Sequence, residues 1–104
     1  MAQIRWSAQS LKDIENICSY IENVSFHYAQ QQAKAIYAKA EQLQSHPLSG
    51  RPVPELNIHS IRQLLCGSYR IIYEVGSEDD LTILTVHHQS RLFENNPVFK
   101  DKKE

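Results

Sequence analysis

Ile4 and Trp6 alternate with Gln3 and Arg5, the two-residue period of a short strand. Ser7 follows as a helix N-cap, because its hydroxyl can accept from an orphan amide of the first turn. Leu11, Ile14, Ile17, Cys18, Ile21 and Val24 then recur at three- and four-residue steps, which predicts a helix over residues 8–24 with one apolar stripe. Ser25 can cap a second helix, in which Phe26, Ala29, Ala33, Ile36, Ala40 and Leu43 step by three and four. Small residues in that seam suit close packing. So short a connection predicts an antiparallel helical hairpin. Pro47 ends the second helix, since proline cannot continue the ladder and also constrains His46.

Residues 47–59 hold three of the four prolines and read as an extended, stiff loop. Two β runs follow, 60–66 and 69–75, separated by Gly67-Ser68, where glycine supplies the positive φ of a type II′ hairpin turn. After a turn over 76–80 comes a last strand, 81–88, rich in Leu, Ile, Thr and Val. Asn95-Asn96-Pro97 predicts an irregular tail over 94–104, following a single domain over 1–93. The order is β-α-α-β-β-β, an α+β fold with a helical hairpin packed on a mostly antiparallel four-stranded sheet.

The hairpin turn also sets the faces. With Gly67-Ser68 as the whole loop, Cys66 opposes Tyr69, Leu65 opposes Arg70, and Arg62 opposes Tyr73. Alternation then turns Arg62, Leu64, Cys66, Tyr69, Ile71, Tyr73 and Val75 toward the helices. Ile61, Gln63, Leu65, Arg70, Ile72 and Glu74 fall on the open face. A G1 bulge at Gly67 would swap the two. Arg62, near the strand end, is expected to bury its stem and reach water with its head. Arg70 and Glu74 share a face but lie about 13 Å apart on an extended strand, too far to pair. Taken alone, Arg70 is a surface ion pair to a neighbouring strand more readily than a contact residue for another molecule.

Charge narrows the function. The chain has 104 residues, 11 basic and 12 acidic, for a net charge of −1. Free-standing nucleic-acid binders draw most of their affinity from phosphate neutralisation and show a basic excess; here any positive surface must be local. The 41% hydrophobic content excludes a disordered chain, and no apolar run reaches membrane-spanning length. The opening residues hold no stretch of signal-peptide length, so the expected location is cytoplasmic and no membrane partner is expected. Cys18 and Cys66 form no metal-binding or redox motif and read as reduced, buried thiols.

Chemistry-bearing groups are sparse. His87 and His88 are adjacent on a strand and point to opposite faces, so they cannot chelate one ion together; no metal site and no cofactor is expected. One of them lies on the open face near Arg70, where an imidazole can donate a proton, although structural hydrogen bonding is the favoured role. His27, His46 and His59 lie at element ends, and Tyr20, Tyr28 and Tyr37 read as amphipathic helix packing. Nucleophilic triads and phosphate-cradling glycine loops are absent.

The string Gly50-Arg51-Pro52-Val53-Pro54-Glu55, then Ile61-Arg62, Tyr69-Arg70-Ile71-Ile72-Tyr73, Val86-His87-His88 and Arg91, resembles the RelE/ParE superfamily of toxins from bacterial type II toxin–antitoxin pairs, over residues 3–93. The resemblance implies one of two activities. RelE-like members cleave mRNA in the ribosomal A site by attack of a ribose 2′-OH on the adjacent phosphate, which needs cations and a proton donor and acceptor. ParE-like members bind and block DNA gyrase. The arginine of the Tyr-Arg-Ile-Ile-Tyr strand carries over from the nucleases onto Arg70. Their lysines on the preceding strand do not, since Ile61, Arg62 and Gln63 stand there; nor does a late tyrosine, since none follows Tyr73. The ParE-like branch is favoured, with a cognate antitoxin as partner, DNA gyrase as target, and Arg51, Arg62, Arg70, Ile72 and Arg91 as target- or partner-binding residues. Under the alternative, a ribosome-dependent nuclease acting on mRNA, Arg70, His88, Arg91 and Arg51 would form the catalytic set; a relative that only binds antitoxin is the third reading. Antitoxins of this kind lay an amphipathic segment on exposed apolar surface, for which Tyr20, Tyr28 and Tyr37 and the face of Ile61, Leu65 and Ile72 are the candidates.

Overall fold

The computed structural model describes residues 2–100. Strand β1 (Ile4–Trp6) leads into helix α1 (Ala8–Glu22), helix α2 (Phe26–Glu41) and a 3-10 turn, Gln42–Gln44. Strands β2 (Arg51–Pro52), β3 (Ile61–Cys66), β4 (Tyr69–Val75) and β5 (Leu81–His88) follow, then a 3-10 turn, Phe93–Asn95, and a short helix α3 (Pro97–Lys100). Both caps form as the pattern predicts: Ser7 Oγ accepts from Ser10 N–H and Ser25 Oγ from Tyr28 N–H, each at 3.1 Å. Helix α1 stops at Glu22, short of residue 24, and Val24 is 88% exposed at the hairpin tip rather than part of the stripe.

The sheet has five strands in the order β1-β5-β4-β3-β2, not four. The extra strand, β2, lies inside the proline-rich loop: Arg51 opposes Gln63 and Pro52 opposes Arg62. An edge strand tolerates proline because one side of it needs no amide donors. β1 runs parallel to β5, and the other pairings are antiparallel. The β3–β4 register is the one the two-residue turn requires, Cys66 opposite Tyr69 and Leu65 opposite Arg70, with Gly67 at φ 58°. Between β4 and β5 the register shifts: Ile72 opposes Thr85 but Tyr73 opposes Ile83, so Leu84 is an extra residue on β5.

The main core lies between helices and sheet, with Ile14, Ile36, Ala40 and Leu43 against Leu64, Ile71, Tyr73, Leu81, Ile83 and Val86. The opposite face is not open. Val53, Ile61, Ile72, Phe93 and Phe99 make a second core there, and Phe93 stacks on Phe99 with ring centroids 4.5 Å apart. The expected irregular tail therefore gives way, as far as residue 100, to an ordered strap. Pro97 starts a helical turn instead of preventing one, because its fixed φ suits a first helical position. Phe99, wholly buried, supplies the driving force. Residues 101–104 of the predicted tail lie outside the described residues.

Candidate functional site

Strand β4 presents Arg70 on the face away from the helices, between Leu65 of β3 and His87 of β5. The predicted face is right and the predicted openness is not. Leu56 and Asn57 N–H both bond back to Val53 C=O, and the left-handed φ of 51° at Asn57 closes this turn over the sheet. Glu55 on that turn meets the guanidinium with both oxygens, Oε1 to Nη1 and Oε2 to Nη2, each at 2.9 Å. Gln63 Oε1 accepts from Nη1 at 3.0 Å, and Phe93 lies under the guanidinium with its centroid 5.3 Å away. The Arg70 side chain is left 12% exposed. Its ion-pair reading holds, with a partner from a loop instead of a strand. The hydrogen bond from Arg70 holds the Glu55 carboxyl below its ordinary range, against the opposing effect of burial.

Arg62, expected to reach water with its head, is instead largely withdrawn from solvent, at 9% exposure. It is buried, and its guanidinium donates to Gly50 C=O at 2.8 Å, His59 C=O at 3.0 Å and Leu48 C=O at 3.4 Å. Facing it across the hairpin, Tyr73 Oη accepts from Gly50 N–H at 3.0 Å and donates to Pro47 C=O at 2.9 Å. Arg62 and Tyr73 thus satisfy the backbone of the Gly50 loop from beneath. Ile72 and Ile61 are likewise sealed in the second core, and only Leu65 of that predicted apolar face stays half exposed. The exposed cations among the candidates are Arg51 on β2 and Arg91 after β5.

The nuclease set is brought together only in part: His88 and Arg91 line one groove, while Arg70 lies on the other face of the sheet. His88 opposes Tyr69, on the helix face, with the two rings edge-on at 5.1 Å, and its Nδ1 accepts from Ser90 N–H at 3.0 Å. His87 is the histidine on the Arg70 face; it is 5% exposed, and both of its ring nitrogens are engaged, with Asn96 and with Arg91 C=O, each at 3.0 Å. Among the described residues no group of three or more His, Cys, Asp or Glu is arranged to hold a metal ion.

An open groove of about 990 Å³ runs between the helical hairpin and the segment following β5. Asn16, Tyr20, Tyr28, Tyr69, His88 and Arg91 line it. Burial, with smaller contributions from Tyr28 and Tyr20, raises the Tyr69 phenol, so at neutral pH it stays a hydrogen-bond donor. Asp13 also borders the groove, but its oxygens accept from Thr85 Oγ1, from Val86 N–H at 3.0 Å and from Gln9 Nε2 at 2.8 Å. The groove therefore offers aromatic faces, hydroxyl donors and the Arg91 cation. Sequence reasoning placed Tyr20 and Tyr28 here as partner surface and missed Tyr69, Asp13 and Asn96. Asp13 lies 72 residues from Thr85, and no local pattern links the two.

This fold is shared by one chain of a chromosomal ParDE toxin–antitoxin system from P. aeruginosa. The two agree with a TM-score of 0.71 over 85% of this chain and 96% of that one, at 18% identity, a likeness of fold. A curated relative, "Putative toxin Y4kP" of Sinorhizobium fredii, is 31% identical over 86 residues, covering 83% of this chain and 86% of its own. Residues 4–93 match the family described as the ParE toxin of the type II toxin–antitoxin system parDE, and the chain belongs to that family.

Proposed function

We propose that this ParE-family toxin acts in the cytoplasm by binding DNA gyrase and that a cognate antitoxin neutralises it. The observation that carries the protein-binding reading is the division of polar chemistry between the sheet faces. Arg70 is closed by Glu55, Gln63 and Phe93 on one face, and His88 stands on the other. A 2′-OH attack on phosphate needs a cation and a proton donor converging on one reacting centre, and Arg70 and His88, held on opposite faces, do not converge on one. The groove instead suits a protein segment: tyrosines give rigid contact area, and their hydroxyls give hydrogen bonds.

Charge as well as shape supports this groove as the antitoxin's seat. Asp13 is internally satisfied, so Arg91 is the charge left to attract a partner, and an acidic amphipathic segment fits. Purified gyrase with relaxed plasmid and the protein in stoichiometric excess tests the target. Loss of supercoiling is expected; unchanged supercoiling overturns the gyrase assignment. Primer extension on translating ribosomes should show no new mRNA ends, and such ends would restore the nuclease alternative.

A further inference from the structure

Helix α1, strand β5 and the C-terminal strap are joined by one chain of hydrogen bonds whose polarity can be worked out from its two ends. At one end the Asp13 carboxylate can only accept, so the Thr85 hydroxyl donates to it. Thr85 Oγ1 then accepts from Asn96 Nδ2 at 3.1 Å. Asn96 cannot be turned over, because its Oδ1 accepts from Val98 N–H at 3.0 Å. The same Nδ2 therefore donates to His87 Nδ1 at 3.0 Å, which must be unprotonated. At the other end the Arg91 carbonyl can only accept, so His87 Nε2 carries the proton. The imidazole is neutral and in a single tautomer.

From this we infer that His87 is a pH-sensitive latch on the strap formed by residues 92–100. A proton added at Nδ1 sets two donors against each other at the His87–Asn96 contact, and neither can rotate away while the strap is docked. Both ring nitrogens are taken, by Asn96 and by the Arg91 carbonyl, and the Glu55 carboxylate acts on the ring only through space. Arg70 faces it from β4, and Arg91 lies at the start of the strap. Glu55 from the β2–β3 loop is already bound in both oxygens by Arg70, and Asp13 of α1 is reached only through Asn96 and Thr85. Release of Asn96 frees Phe93 and Phe99, the residues that cover Ile72 and the Arg70 guanidinium. Acid thus exposes an apolar face with an arginine at its centre, a surface the closed molecule does not show.

The test combines hydrogen exchange of the strap with the state of the ring. The amides of Asn96, Val98 and Phe99, followed from pH 8 to pH 5 after correction for intrinsic exchange, should lose protection by up to about tenfold per pH unit as one proton is taken up on opening. In His87→Gln the strap's protection should not depend on pH over that interval. Equal pH dependence in both proteins overturns the latch. Should His87→Gln not fold, long-range proton–nitrogen correlation on the intact protein decides instead. Loss of the neutral Nε2–H tautomer in step with strap opening supports the latch; a protonated Nδ1 at a pH where the strap remains protected overturns it.

Discussion

The Tyr73 hydroxyl stands between two backbone groups of the proline-rich loop, the buried Gly50 N–H and the part-buried Pro47 C=O. Tyr73→Phe keeps the ring and removes both bonds. Leaving buried partners unsatisfied costs about 1–3 kcal/mol, and a domain of this size loses roughly 4–8 °C of Tm per kcal/mol, readable by thermal unfolding. Gly50 is there for space: a Cβ would come within 2.5 Å of Gln63 O and 2.6 Å of Tyr73 Oη. Gly50→Ala should be destabilised by about 1–3 kcal/mol through overpacking in the same assay. The Glu55–Arg70 pair makes a prediction in pH. Because the folded carboxyl is held below its ordinary value of 4.5, its contribution is complete above that value and is lost as pH falls through the depressed folded one. Glu55→Gln should therefore flatten the acid limb of the stability profile while changing the shape near neutrality little. Arg70 shows what residue chemistry alone conveys: strand parity gave its face, but its partner comes from a loop whose turn rests on the left-handed Asn57.

Helix α1 and strand β5 meet where β1 ends. β1 covers only Leu81–Ile83 of β5, and beyond it the outer edge is met by side chains, Ser7 Oγ on Leu84 C=O at 2.9 Å and the Asp13 carboxylate on Val86 N–H. A helix here completes a sheet edge, which otherwise invites pairing with other chains. Asp13→Ala removes the acceptor of both Thr85 and Val86. It should cost about 1–3 kcal/mol in denaturant unfolding, with faster amide exchange at Val86. The strap is the second element whose role depends on what it covers. Phe99→Ala should remove strap protection in hydrogen exchange while the amides of α2 remain protected, since Phe99 belongs to the second core and Ile36 and Ala40 to the first. The helices, their caps and the β3–β4 turn were legible because each depends on residues within a few positions of one another. β2 was not, because a strand of two residues has no period to read.

Taken together, the elements leave the molecule with two unlike sides: a sheet face closed by the strap and the Glu55 loop, and an open groove of tyrosines beside the helices. Tyr20→Ala and Arg91→Glu, both at exposed positions, should each weaken the antitoxin complex by on the order of tenfold or more with little change in Tm; titration calorimetry beside thermal unfolding separates the two effects. The α+β architecture and the faces of β3 and β4 followed from spacing, because hydrophobic period, capping and turn geometry are short-range properties of the chain; the resemblance to toxins rested on particular residue strings such as Tyr69-Arg70-Ile71-Ile72-Tyr73. The closing of Arg70, the burial of Arg62 and Ile72, and the separation of His88 from Arg70's companions came from packing. They join segments such as 13 with 85 and 55 with 70, and no local pattern encodes which remote side chain will arrive to cover a face. That choice rests on the apolar area each arrangement buries and on the polar groups it leaves satisfied, quantities that exist only once the chain has folded.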